Sequence, residues 1–205
     1  MRVTVIDYKA GNLTSVLKAL RHLGAETEVT ESPAPLESAE RIVLPGVGHF
    51  AATHRLDATG LTPAIRSAID RGVPFLGICV GMQWLYAGST EEPDQPGLGQ
   101  FSEACARFPD GQQKVPHVGW NSLTIRGDSR LLAGVEDGEY VYFTHSYCAP
   151  VTASTAATTN YIETFAAAVE SGNVMGVQFH PEKSGATGLK ILRNFLAFQP
   201  KEAAC

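Results

Sequence analysis

Two short stretches carry residues able to make and break bonds. Gly77-Ile78-Cys79-Val80-Gly81 closes an apolar run with a cysteine set between two glycines, and His180-Pro181-Glu182 places an imidazole two residues from a carboxylate. Cysteine reacts as its thiolate, and it becomes a working nucleophile when a base lies within hydrogen-bond reach and a third group orients that base. Cys79, His180 and Glu182 supply those three parts in that chain order. The glycines fit a sharp strand-to-helix turn, because such a turn forces strained angles at its apex and brings backbone too close for a Cβ at the flanking positions. A helix N-terminus just beyond the turn also favours an anion. Taken singly, Cys79 reads equally well as a small buried hydrophobe, and His180 as a surface histidine. The combination favours nucleophilic acyl transfer.

Acyl transfer also needs donors aimed at the negative charge that develops on the substrate carbonyl. The backbone N–H of Val80, directly after the nucleophile, is one such donor. The turn Pro45-Gly46-Val47-Gly48 offers a second, from Gly46 or Val47. No phosphate loop of the G-x-x-x-x-G-K-[ST] type and no G-x-G-x-x-G after the first strand occurs, and His145, Cys148 and His180 lack a recognisable zinc spacing. The expectation is a site without metal or cofactor.

The elements around these residues alternate. Val3–Ile6 is a β-branched run, and Leu13, Val16, Leu17, Leu20 and Leu23 then recur on one helical face that Gly24 ends. Strands follow at 26–30 and 41–44, the latter stopping at Pro45. A second helix carries Leu61, Ala64, Ile65, Ala68 and Ile69, and the chain returns to the Phe75 strand, with Met82–Leu85 continuing as helix. Strands alternating with helices specify a mostly parallel sheet covered on both faces, an α/β fold in which ligands bind beyond the carboxyl ends of the strands. Residues 91–100 read as a polar, turn-rich loop. Short extended pieces near 104–108, 122–126, 139–145, 151–158 and 163–170 predict a smaller, largely antiparallel extension in the C-terminal half. Val174–Phe179 is a strand ending at His180, a last helix spans about 188–198, and the tail 201–205 frays.

A chain of 205 residues, 44% apolar and 18% charged, fits a single domain over 1–205. A net charge of -5 argues against nucleic acid or an anionic membrane as partner, and no apolar run approaches the ~18–20 residues of a membrane span. Cysteines 79, 105, 148 and 205 form no disulfide framework. With no signal peptide at the N-terminus, a reducing cytoplasm is the expected compartment.

Together these stretches resemble class I (triad-type) glutamine amidotransferases, a flavodoxin-like fold. Within that class the chain is similar to the glutaminase subunits of imidazole glycerol phosphate synthase. The matching segments are Asp7-Tyr8-Lys9-Ala10-Gly11-Asn12-Leu13, Pro45–Gly48, Gly77–Gln83, Pro116-His117-Val118-Gly119-Trp120-Asn121, Tyr142–Tyr147 and Gly176–Ser184. The G-x-C-x-G and H-P-E elements mark only the class, whereas P-H-V-G-W-N and F-H-P-E-K-S mark the narrower group. Val80 departs from it, standing where leucine is common. The resemblance implies that Cys79 attacks the glutamine side-chain amide, His180 protonates the departing ammonia and Glu182 orients His180. Gln83 and the backbone at His145, Ser146 and Tyr147 would hold glutamine. Trp120, Asn121, Tyr142 and Lys183 would face a (βα)8-barrel cyclase subunit that uses the ammonia to make imidazole glycerol phosphate in histidine biosynthesis. The rival is the glutaminase subunit of another class I amidotransferase, which would not be expected to carry P-H-V-G-W-N.

Overall fold

The computed structural model describes residues 1–11, 13–111 and 113–199. Asn12, Cys205 and the tail from 200 lie outside the described residues. Fourteen strands and five α-helices follow in order: β1 (Arg2–Ile6), α1 (Leu13–His22), β2 (Glu26–Thr30), β3 (Ile42–Gly46), α2 (His54–Ala58), α3 (Leu61–Asp70), β4 (Phe75–Cys79), α4 (Val80–Gln83), β5 (Gly88–Ser89), β6 (Glu92–Pro96), β7 (Ala104–Arg107), β8 (His117–Ser122), β9 (Thr124–Ile125), β10 (Tyr140–His145), β11 (Tyr147–Cys148), β12 (Thr155–Asn160), β13 (Thr164–Ser171), β14 (Val174–Val177) and α5 (Gly185–Ala197).

The main sheet runs β2-β1-β3-β4-β14-β13-β12-β9. Its first five strands are mutually parallel, and β13, β12 and β9 extend it antiparallel. β3, β4 and β14 are buried along their whole length, as expected of parallel strands covered on both faces. The helices present the faces that their sequence spacing predicts: Val16, Ala19 and Leu20 from α1, Leu61, Ile65, Ala68 and Ile69 from α3, and Ile191, Leu192, Phe195 and Leu196 from α5 are buried.

Three neighbouring strand ends meet in register. Gly46 at the end of β3 pairs with Cys79 at the end of β4, and Val177 at the end of β14 pairs with Ile78. The Gly46 turn, the cysteine and the His180 segment therefore emerge side by side beyond the carboxyl ends of three central strands, the place where open α/β sheets bind ligands.

Several elements differ from the sequence reading. The helix after Cys79 is a single turn and does not continue through Leu85. The backbone carbonyls of Trp84, Leu85 and Tyr86 accept N–H groups from Leu98, Phe101 and Gly99, so the loop at 97–101 takes up the acceptors that a longer helix would use. Part of the polar 91–100 segment is a strand, β6. It lies at the edge of a separate four-stranded sheet, β11-β7-β5-β6, where Pro93 and Pro96 cost no inner ladder bonds. β8 and β10 form their own two-stranded antiparallel ribbon. β14 stops at Val177, before Phe179, and α5 begins at Gly185.

The turn at Cys79 depends on two close approaches. A Cβ on Gly77 would run into the carbonyl of Gly81, and a Cβ on Gly81 would overlap the carbonyl oxygen of Leu44 in β3. Both obstacles are backbone and cannot swing aside. Gly81→Ala is expected to destabilise the fold by about 2–3 kcal/mol, which for a chain of this size lowers Tm by roughly 4–12 °C. Thermal unfolding of the variant measures this, and an unchanged Tm would show that the turn has room the structure does not reveal.

Candidate functional site

Cys79 adopts φ 54° and ψ −110°, one of two non-glycine residues with positive φ among those described, and it is buried. Strain of this kind persists only where the surroundings over-determine it, here through the Gly77 and Gly81 contacts. The amide of Gln178, itself fully buried, donates from Nε2 to Cys79 Sγ at 3.6 Å.

His180 is held from both sides. Its backbone N–H donates to the Tyr142 carbonyl at 2.9 Å, and its carbonyl accepts from Ser184 Oγ at 2.6 Å, while Ser184 Oγ accepts from Tyr142 N–H. Strand β10 thus grips the histidine segment by its main chain. The imidazole Nδ1 lies 2.9 Å from Glu182 Oε1, with both side chains buried. A carboxylate accepts there, so Nδ1 carries a hydrogen and Nε2 faces the sulfur side. Nε2 makes no hydrogen bond among the described residues, so the attraction of the nearby sulfur falls short of a formed bond. Burial alone would lower the pKa of His180. The Cys79 sulfur and the Glu182 carboxylate outweigh it and raise the value to about 9.

In front of Cys79 lies a cavity of about 230 Å³, of amino-acid rather than drug size. Val80, Gln83, His145, Ser146 and Tyr147 all line it, joined by Glu91 and Thr144, which the sequence reading did not single out. Glu91 sits in the segment taken for a plain polar loop, and its carboxylate accepts the Phe50 N–H at 2.7 Å. Of the Gly46 turn, Gly48 reaches the cavity lining, while Gly46 is buried beside Cys79 and Val47 follows it. Gly46 is glycine for want of space: a Cβ would collide with the Tyr8 hydroxyl, which is buried without a hydrogen-bond partner among the described residues. Burial, with the Cys79 charge, pushes the Tyr8 phenol far up.

Tyr147 O accepts from Gln83 Nε2 at 2.9 Å and is paired with His145 Nδ1 at 2.9 Å, so both lone pairs are engaged within the protein. His145 Nε2 in turn meets His117 Nδ1 at 3.2 Å. The rings stay neutral. Burial pushes His145 down to about 3, against the pull of the Tyr147 carbonyl, and His117 to about 4.

The outer face of the β8–β10 ribbon is exposed and apolar. Val118, Trp120 and Tyr140 are each more than half exposed, the Trp120 and Tyr142 rings meet edge-on at 6.1 Å, and Lys183 Nζ lies 5.8 Å over the Tyr142 ring. Asn121 does not belong to that face. It alternates to the inner side, and its Nδ2 is spent on the Asn160 carbonyl at 2.9 Å and on His117.

The glutamine amidotransferase class-I family model matches residues 4–198, and the chain belongs to that family. Solved structures agree in fold: a glutamine amidotransferase crystal structure superposes with TM-score 0.75 at 22% identity, over 95% of this chain and 97% of that one. PurLQS from Thermotoga maritima gives 0.72 at 23%, over 96% and 97%. Relatives are more specific. An imidazole glycerol phosphate synthase subunit HisH from Methanothermobacter thermautotrophicus is 48% identical over 95% of this chain and 97% of its own length. The HisH of Methanosarcina acetivorans is 45% identical over 95% and 98%. Within the class, the chain belongs with these HisH proteins.

The histidine shifts set the acid and alkaline limbs of stability. Between pH 4 and 6.5 the unfolded chain binds protons at His117 and His145 that the folded chain refuses, so stability rises with pH there. Between 6.5 and about 9 the folded chain keeps the His180 proton that the unfolded chain releases, so stability falls. Urea midpoints are therefore expected to peak near pH 6.5. His145→Asn should remove one proton's share of the slope between pH 5 and 6.5, and an identical slope would contradict the neutral assignment.

Proposed function

We propose that the chain hydrolyses glutamine to glutamate and ammonia, with Cys79 as nucleophile, His180 as acid and base, and Glu182 as the group that orients His180. The observation that carries this reading is the strained Cys79, at the end of the strand adjoining the one from which the chain runs on to the buried His180–Glu182 pair. Sγ passes its proton to His180 Nε2 and attacks the side-chain carbonyl carbon, whose oxygen takes the negative charge. His180 Nε2 gives its proton to the amide nitrogen, the C–N bond breaks and ammonia leaves a thioester on Cys79. Water, deprotonated by His180, then releases glutamate and restores the thiol. The oxyanion is met by the N–H of Val80 and by the Gly46–Val47 peptide. Gln83, His145, Ser146 and Tyr147 form the walls that hold glutamine, and the Glu91 carboxylate suits its α-ammonium group.

The ammonia passes to a (βα)8-barrel cyclase subunit for the synthesis of imidazole glycerol phosphate and its aminoimidazole-carboxamide co-product in histidine biosynthesis, a reading supported by relatives that are subunits of imidazole glycerol phosphate synthase. Trp120, Tyr142 and Lys183, with Val118 and Tyr140, are the apolar face that docks on it, and Asn121 supports that face from behind. The family match alone leaves room for a glutaminase subunit of another class I enzyme. The level of identity to HisH and the P-H-V-G-W-N stretch, with Val118 and Trp120 exposed on the ribbon, favour the histidine pathway.

Cys79→Ala should lower glutamate release by about 10³-fold or more while leaving partner binding intact, and the mutant complex should still run the cyclase reaction on ammonium salt. Normal glutamate release from this variant would remove Cys79 from the mechanism. A single oxyanion donor contributes ~10²–10³ in rate, so a Gly46–Val47 peptide turned inward only on docking would make the isolated chain a poor glutaminase. Glutamate production with and without the cyclase and its acceptor nucleotide tests this, and equal turnover would refute partner control. Gly46→Val is not a suitable probe, because it strikes the Tyr8 hydroxyl.

A further inference from the structure

The amide nitrogen facing Cys79 is fixed by a carbonyl two hydrogen bonds away. Tyr147 O can only accept, so the Gln83 atom against it must be the NH2 group. The other Gln83 N–H points to Gln178 at 3.1 Å, so the Gln178 atom there must be the oxygen. Gln178 is fully buried, and with its oxygen so committed its Nε2 can only turn to Cys79 Sγ, 3.6 Å away. The same carbonyl sets the histidines. His145 Nδ1–H donates to Tyr147 O, which leaves His145 Nε2 to accept from His117 Nδ1–H, and His117 Nε2 faces Asn121 Nδ2 at 3.4 Å. Every member has one allowed orientation.

We propose that Gln178 is a positioning residue for the nucleophile, an amide donor to the Cys79 sulfur whose direction is locked by Gln83 and the Tyr147 carbonyl. The inference rests on Cys79 being the glutaminase nucleophile. A sulfur that accepts from Gln178 directs its own proton elsewhere, and among the described residues His180 Nε2 is the buried ring nitrogen left without a partner. The donor therefore both aims the thiol proton at the base and favours the sulfur once it is charged. Gln178 takes no proton itself. The titratable groups facing Cys79 are His180 and Tyr8, with Glu91 and His145 across the cavity, and a substitution at 178 leaves all four in place.

The test is Gln178→Met, which keeps length and apolar volume and removes the donor. Alkylation of Cys79 by iodoacetamide is followed across pH in the full chain and resolved by site in the mass spectrometer, so that the other cysteines do not interfere. The midpoint of the rate profile is expected to move up by about one pH unit. With the cyclase partner present, kcat for glutamine should fall roughly ten-fold while KM stays within about two-fold. If Gln178→Met unfolds, Gln178→Leu replaces it. Leucine likewise lacks the donor and brings no titrating group, so its profile must move up by a similar amount. A wild-type profile and wild-type kcat in either folded variant would overturn the proposal. Failure of the glutaminase reading looks different: Cys79→Ala would keep its activity, whatever Gln178→Met does.

Discussion

The contact on which the site depends is backbone against backbone. Where α4 leaves β4, the peptide at Gly81 lies on the Leu44 carbonyl of β3, and Gly77 lies under the carbonyl of Gly81. No side chain mediates either contact, so nothing can relax to absorb a shift. That rigidity holds Cys79 in a conformation that non-glycine residues avoid, and it sets the sulfur over the junction of β3, β4 and β14. The usual argument for a thiolate at a helix N-terminus weakens here, since α4 has only four residues and its dipole is correspondingly small. The charge environment of the sulfur comes instead from individual groups: an imidazole, an amide and the peptide N–H groups of the turn.

A second constraint is directional. In a buried polar chain each group must find a partner of opposite kind, because an unpaired one costs about 1–3 kcal/mol. The Tyr147 carbonyl imposes one sense on the hydrogen bonds through Gln83 and Gln178 and another through His145 and His117. Aromatic packing guards the second branch. His117 is stacked between Phe143 and Tyr161, with centroids 4.8 and 4.0 Å away, and His145 packs on Phe108 and Phe165. The same packing that excludes water depresses both histidines, so neutrality and fixed tautomer share one cause.

Much of the parallel half was legible in the sequence because its signals are local. Leucine spacing defined α1, the apolar run and paired glycines defined β4 and its turn, and Gly24 marked a helix end with φ +84°. The misread parts are those decided by distant residues. β6 carries prolines and charges that a single chain reads as a loop, and only its place at a sheet edge makes them tolerable. The length of α4 was set by N–H groups some fifteen residues on, which no period within the helix records. Gly46 reads as freedom to rotate, yet what demands a glycine there is the hydroxyl of Tyr8, nearly forty residues away. Gln178 stood in the quoted motif, but one polar residue after an apolar strand says nothing of what it touches.

Tyr142 has its ring on the outer face of the ribbon and its main chain bonded to both His180 and Ser184. A two-stranded ribbon is marginally stable on its own, so this one takes its order from the packing on either side of it. Whatever covers Trp120 and Tyr140 narrows the motion of β10, and with it the motion of the peptide that carries the imidazole. The dependence runs both ways: a molecule seated in the cavity, by ordering His145 and the strand that bears it, stiffens the outer face by the same free energy. The change each occupant makes in the affinity of the other is then one coupling free energy, read from either side.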